Sequence, residues 1–195
     1  MTPARKLAWR VLLLVEGGGY ASELLRSRSA GLEARDAGLA AEIVFGCLRH
    51  QGQIDFLTER LAGRAAAALD AEVRAALRMG IYQLRYLDRI PPHAAVSESV
   101  DLVKRAGKRS AAGLVNAVLR RVDRAPARWP DRATELSMPA WLLARWDKHY
   151  GPETAERIAR AFLRPPATYV RAPGGRKPPE ERMEATGVPG CYRLL

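Results

Sequence analysis

The chain has 195 residues, 48% of them hydrophobic, and a formal net charge of +11 from 32 basic and 21 acidic side chains. That length and apolar share support one sizeable core plus a smaller piece and exclude a chain disordered throughout. No apolar run approaches the roughly 18 residues of a membrane helix. The stretch after Arg5, Lys6 and Arg10 is too short for a secretory signal, and Cys47 and Cys191 do not make a disulfide framework, so a cytoplasmic location is expected.

In chain order, the first expected helix runs from about Pro3 to Glu16, with Thr2 as its cap and Pro3 in the first turn, where a missing N–H has no partner anyway. Leu7, Val11 and Leu14 share one arc, and Arg5, Lys6 and Arg10 form a basic stripe on the opposite arc. Gly17-Gly18-Gly19 ends it. A second helix is expected from Ala21 to about Arg28. Glu33 to Leu61 is helical in pattern, with Ile43, Cys47, Ile54 and Leu57 apolar and a break near His50 set by Gly46 and Gly52.

The best-patterned helix spans Ala71 to Tyr86, with Val73, Leu77, Ile81 and Leu84 at three- and four-residue spacing. Gly80 within it costs roughly 1 kcal/mol against alanine, which a close helix–helix approach would explain. Tyr82 and Tyr86, one turn apart, are expected to pack at the bundle edge rather than stack on bases. Pro91-Pro92 forces an extended hinge, and His93 reads as a loop or capping residue. The next helix is expected to begin between Ala94 and Ser97 and to end by Gly107. Another covers about Ala111 to Asp123, in which Asn116 is expected to bond a neighbouring loop.

The basic charge is clustered. Lys104, Arg105, Lys108, Arg109, Arg120, Arg121, Arg124 and Arg128 fall in one window against a single acid, Asp123. Part of this is dipole chemistry, since cations suit a helix C-terminus. The rest reads either as a solvated arginine-rich face or as a polyanion-binding surface. Clustering beside helix ends favours the second, because guanidinium forks and helix termini hold phosphates together.

After Asp123 the composition changes. Ala125 to Pro130 reads as a linker, Ser137 as the cap of a helix with Pro139 in its first turn, and Trp141 and Trp146 as packing between that helix and the bundle. Gly151-Pro152 precedes a helix to Arg164, stopped by Pro165-Pro166. Ala167 to Arg171 and Cys191 to Leu195 read as strands, with a helix from Pro178 to Ala185 between them. The first strand is expected to find its partners outside the chain and to leave an exposed edge. With no strand alternation earlier, the fold class is all-α, a helical bundle with short connections.

Three runs carry a resemblance: Gly80-Ile81-Tyr82-Gln83-Leu84, Ile90-Pro91-Pro92-His93-Ala94-Ala95-Val96, and Gly113-Leu114-Val115-Asn116-Ala117-Val118-Leu119-Arg120-Arg121. They resemble the NusB family of RNA-binding helical domains, in the version fused to bacterial rRNA cytosine-5 methyltransferases of the RsmB (Sun/Fmu) type. Ser137, Pro139, Trp141-Leu142, Arg145-Trp146, Tyr150-Gly151 and Pro165-Pro166 resemble the stretch that joins this domain to the catalytic half. The resemblance implies a NusB-like bundle over residues 1–130, linker helices over 131–165 and the incomplete start of a small α/β subdomain over 166–195, with the catalytic domain missing. It implies ribosomal RNA as partner and S-adenosylmethionine as cofactor of the full-length family. The RNA-binding candidates are Arg5, Lys6, Arg10, Lys104, Arg105, Lys108, Arg109, Arg120 and Arg121.

No catalytic, cofactor-binding or metal-binding residue is assigned. A methyl-donor site of the Rossmann type needs a glycine-rich turn between strand and helix. Gly17-Gly18-Gly19 comes after a helix instead, and Gly174-Gly175 sits in a loop rich in proline and lysine. Methylation at C5 needs a cysteine nucleophile, and Cys191 has no neighbouring base. His50, His93 and His149 show no metal-ligand spacing. Two other readings stand beside this one: a free-standing NusB-like antitermination factor working with a ribosomal protein, and a protein-binding helical module. The segment from Ser137 onward favours the methyltransferase reading over the antitermination one.

Overall fold

Helix α5 (Ala71–Tyr86) organises the bundle because its sequence is apolar or small on nearly every side. Ala75, Ala76, Leu77, Met79, Gly80, Ile81 and Tyr82 are all buried, as expected of a helix wrapped by neighbours. The computed structural model describes residues 1–172 and 183–194. Around α5 pack α1 (Pro3–Glu16), α3 (Ala34–Arg49), α4 (Gln51–Ala62), α6 (Pro92–Arg105) and α7 (Ala112–Arg120), while α2 (Ala21–Arg28) lies against α1 and α3. The expected all-α bundle is what the structure shows. Among the described residues no helix is long and apolar enough to cross a membrane.

Two glycines let helices touch. A Cβ on Gly80 would lie 2.6 Å from the methyls of Leu119 and 3.1 Å from the Ser99 hydroxyl, so α5 meets α6 and α7 as closely as the sequence requires. A Cβ on Gly46 would sit 1.8 Å from the Tyr82 ring. The helix break falls at His50, as expected.

Several local expectations are corrected. Thr2 occupies the cap position of α1, but its side chain makes no capping bond. Its backbone N–H and hydroxyl both donate to Glu98 of α6, at 2.7 and 3.1 Å. Helix α6 starts at Pro92, not at Ala94 to Ser97, because Pro91 is extended and Pro92 takes the first helical position. Helix α7 opens from a 3₁₀ turn at Arg109–Ala111 and stops at Arg120, short of Asp123. The run after it is pinned. Arg85 donates to the carbonyls of Asp123 and Ala125 at 2.7 and 2.9 Å, and the Trp129 ring meets Phe56 edge-on at 5.8 Å.

A short helix not anticipated from the sequence, α8 (Arg132–Glu135), is capped by Asp131, whose carboxylate accepts from the Thr134 N–H at 2.7 Å. Helices α9 (Ala140–Tyr150) and α10 (Pro152–Phe162) form a hairpin with its own small core of Leu136, Leu143 and Ala159. Ser137 does not cap α9. It takes a left-handed φ of 46°, and its hydroxyl accepts from the Gln53 N–H at 3.0 Å, so it caps the first turn of α4 across the sequence. Trp141 is 66% exposed rather than packed, while Trp146 stacks on Phe162 at 6.0 Å.

The last elements form one antiparallel sheet, ordered β1 (Tyr169–Arg171), β3 (Cys191–Leu194), β2 (Met183–Ala185). Tyr169 lies opposite Arg193, and Met183 opposite Leu194. The first strand therefore finds its partner within the chain, against expectation. Met183 to Ala185 is strand, not helix. The rest of the expected helix from Pro178 lies outside the described residues, as does Leu195.

Candidate nucleic-acid interface

The nine candidate cations separate into three groups. Arg5 is not on the surface. Its side chain is 6% exposed, and its guanidinium donates to Gln83 Oε1 at 2.5 Å and to Glu98 Oε1 at 3.0 Å. The reason lies in the small residues of α1. Ala4 and Ala8 are fully buried and Leu12 nearly so, Leu7 and Val11 stay buried and Leu14 is 39% exposed, so the buried face is turned away from Leu14 and widened toward Ala4, Ala8 and Leu12. Arg5 and Ala8 share a face, and Arg5 is carried inward with it.

Lys108 is at the surface but paired. Its ammonium is 2.9 Å from Asp70 and 4.0 Å from Glu72 at the start of α5, and the hydrogen bond to Asp70 holds it above the usual lysine range. Arg120 donates to Asn116 Oδ1 at 3.2 Å, so Asn116 bonds along its own helix rather than to a loop. Arg121 donates to the Leu61 carbonyl at 3.1 Å. The remaining five, Lys6, Arg10, Lys104, Arg105 and Arg109, are exposed and have no ion-pair partner among the described residues. Lys104 and Arg105 form the last turn of α6, with Arg109 just beyond.

Next to this end lies a groove of about 620 Å³ between α6 and α7. Leu84, Val96, Val100 and Leu119 form its floor, and His93, Asp101, Lys104 and Arg120 line its sides. His93 belongs to the first turn of α6, not to a loop. A smaller cleft of about 350 Å³ lies where α3 meets the end of α10, lined by Arg49, Ala161, Phe162, Arg164 and Pro166. Sequence reasoning misses this second cleft, although Phe162-Leu163-Arg164 before a proline pair is a readable aromatic–arginine cluster.

Other charged and aromatic groups are occupied inside the bundle. Arg78 forks onto Asp55 at 2.7 and 2.8 Å and reaches Glu16 at 2.6 Å. Hydrogen bonding from Arg74, with the charge of Arg78, holds the Glu16 carboxyl below its usual range. Tyr82 and Tyr86 pack at 5.4 Å, with the His50 ring 4.3 Å from Tyr86, and their hydroxyls donate to Glu42 and Gln53 at 2.6 and 2.7 Å. Burial raises the phenol pKa of both tyrosines and lowers that of His50. They are bundle residues, as expected. Cys47 is fully buried and its thiol is pushed up by that burial, while Cys191 is half-buried in β3. Among the described residues no group of three or more His, Cys, Asp or Glu side chains could hold a metal ion.

This architecture has known counterparts. The NusB family matches residues 2–124. The probable ribosomal RNA small subunit methyltransferase B of Bacillus subtilis (strain 168) is 33% identical over 181 residues, covering 87% of this chain and 40% of that protein. The chain spans about 40% of the length of the curated relatives it matches. A crystal structure of the antitermination factors NusB and NusE in complex with dsRNA contains a chain that is 28% identical, with a TM-score of 0.57, covering 63% of this chain and 95% of that one. The crystal structure of PH0851 shares the fold over 100% of this chain and 49% of its own, with a TM-score of 0.70 at 17% identity. With the family matched across the bundle built by α1 to α7, this chain belongs to the NusB family.

Proposed function

We propose that this chain is the RNA-holding part of a bacterial rRNA (cytosine-5) methyltransferase, keeping structured ribosomal RNA in place for a catalytic domain outside residues 1–195. One observation carries the reading. The likeness to the Bacillus subtilis methyltransferase runs over 181 residues, whereas the family match ends at residue 124 and the NusB chain of the dsRNA complex covers 63% of this one. The hairpin of α9 and α10 therefore belongs to the part this chain shares with the methyltransferase. Residues 1–130 would hold RNA, 131–165 would join that bundle to the catalytic half, and 166–195 would open a further subdomain. A free antitermination factor with a ribosomal-protein partner is the second reading, favoured by the likeness to NusB seen with NusE, but it leaves the hairpin without a role.

The contact set is Lys6, Arg10, Lys104, Arg105 and Arg109, with Arg120 and Arg121 contributing their remaining donors. Arg5 drops out, and Lys108 is shared with Asp70. If these cations neutralise several phosphates, affinity for a ribosomal hairpin should fall on the order of ten-fold or more between low and moderate salt. The double variant Lys104→Glu, Arg105→Glu should weaken binding and flatten the salt slope while lowering the melting temperature by only about a few degrees, since both side chains are exposed and lose no more than their interaction with the end of α6. Binding indifferent to salt would sink this reading.

Methyl transfer belongs to residues outside this chain. Gly17-Gly18-Gly19 ends a helix rather than a strand, Cys47 is sealed in the core, and Cys191 lies in a small three-stranded sheet. Calorimetry of the chain with S-adenosylmethionine should show no saturable heat, and the chain alone should label no RNA. Micromolar saturable binding would contradict the assignment.

A further inference from the structure

We propose that the cleft between the end of α3 and the end of α10 takes an unpaired nucleotide, its base stacked on Phe162 and its phosphates held by Arg49 and Arg164. The inference rests on the RNA reading above and adds a site to it. The cleft lining contains two guanidinium groups and no carboxylate. Neither arginine forms an ion pair among the described residues, so the site is a cationic concavity without an internal anion.

The aromatic surface is prepared for stacking. Phe162 is 60% exposed at the end of its helix, so much of the ring is open to a flat ligand. Its ring is backed by Trp146, at 6.0 Å between centroids and 20° between planes, which fixes its orientation while leaving most of its surface open. An aromatic ring flanked by arginines is the combination that single-stranded nucleic acid uses, bases on the ring and backbone on the cations. A base inside an A-form duplex has no free face to offer, so the cleft selects an unpaired nucleotide. A volume of about 350 Å³ suits one nucleotide rather than a helix of another protein. The cleft joins α3 of the bundle to the hairpin that marks the methyltransferase likeness, so a strand seated there would leave the bundle on the hairpin side.

The test uses the whole 195-residue chain with two RNAs, a hairpin bearing a single-stranded tail with 2-aminopurine in it and a blunt duplex of equal length. The wild type should bind the tailed RNA more tightly and quench its fluorescence. Phe162→Ala should weaken tailed binding about ten-fold and abolish the quench, with blunt-duplex binding changed less than about two-fold. Phe162→Trp should retain both signals, and Arg49→Glu with Arg164→Glu should remove the preference for the tail. Phe162→Ala should melt within about a few degrees of the wild type, the cost of its stack on Trp146, and bind blunt duplex as a folded protein. If Phe162→Ala binds and quenches like the wild type, the cleft is wrong and the RNA reading stands. If the wild type binds neither RNA at low salt, both fall. Equal losses on both RNAs, or intact RNA binding with weakened association to a separately supplied catalytic half, would also overturn the nucleotide site, the latter by making it a protein-docking surface.

Discussion

Among the described glycines, Gly46→Ala should be the most damaging alanine substitution. The added Cβ would fall 1.8 Å from Cζ of Tyr82, 2.2 Å from its hydroxyl oxygen and 2.3 Å from Cε1. Tyr82 has nowhere to go: it is 3% exposed, stacked on Tyr86, and bonded through its hydroxyl to Glu42. Alanine gains roughly 1 kcal/mol over glycine in a helix. Overpacking costs about 1–3 kcal/mol and occasionally more, and a displaced buried hydroxyl about 1–3 kcal/mol. The net loss should be about 3 kcal/mol, a large share of the ~5–15 kcal/mol that holds a domain together. Chemical denaturation measures it, and Gly38 on the same helix is the internal control. Nothing lies within 4 Å of a Cβ there, so Gly38→Ala should stabilise by up to about 1 kcal/mol. Equal stability of the two variants would show that α3 and α5 are not packed as described.

Arg5→Ala should cost about 3 kcal/mol, for an electrostatic reason. Removing one partner of a buried pair strands the other, which typically costs ~3–5 kcal/mol. Here Glu98 is 14% exposed and keeps the Thr2 bonds, so the lower end applies. Gln83, fully buried, loses its guanidinium partner as well. The same variant should leave the RNA affinity of the folded fraction unchanged, whereas Lys6→Glu with Arg10→Glu should weaken RNA binding at constant melting temperature. Should Arg5→Ala instead melt like the parent and lose RNA, Arg5 would face outward and the assignment of α1 would be wrong.

How much of this was legible depends on the range of the interaction. The bounds of α5 come from its period, and the break at His50 from flanking glycines, because these are local signals. The role of Gly46 is not local. Its glycine character serves Tyr82, a helix away, as much as any bend. Arg5 is misplaced because alanines carry little weight in a hydrophobic pattern, yet Ala4 and Ala8 set which face of α1 is buried. At the candidate surface, residue types alone cannot separate Lys108, spent on Asp70, from Lys104, which has no such neighbour. Strands of three residues, such as Met183 to Ala185, have too few alternations to be told from a charged helix.

The bond from Gln53 to Ser137 has a mechanical consequence. Gly52 leaves room for it, since a Cβ there would meet Ser137 Cα at 3.1 Å, and the Gln53 side chain adds a second tie to the Glu135 carbonyl at 2.5 Å. The first turn of α4 and the approach to the hairpin are thus stitched through one glutamine, at the point where a swivel would otherwise form. These two bonds brace the joint as an elbow. On the proposed contact set, an RNA held at α6 would be presented to the hairpin side at a set angle and reach, as a workpiece is by a jig.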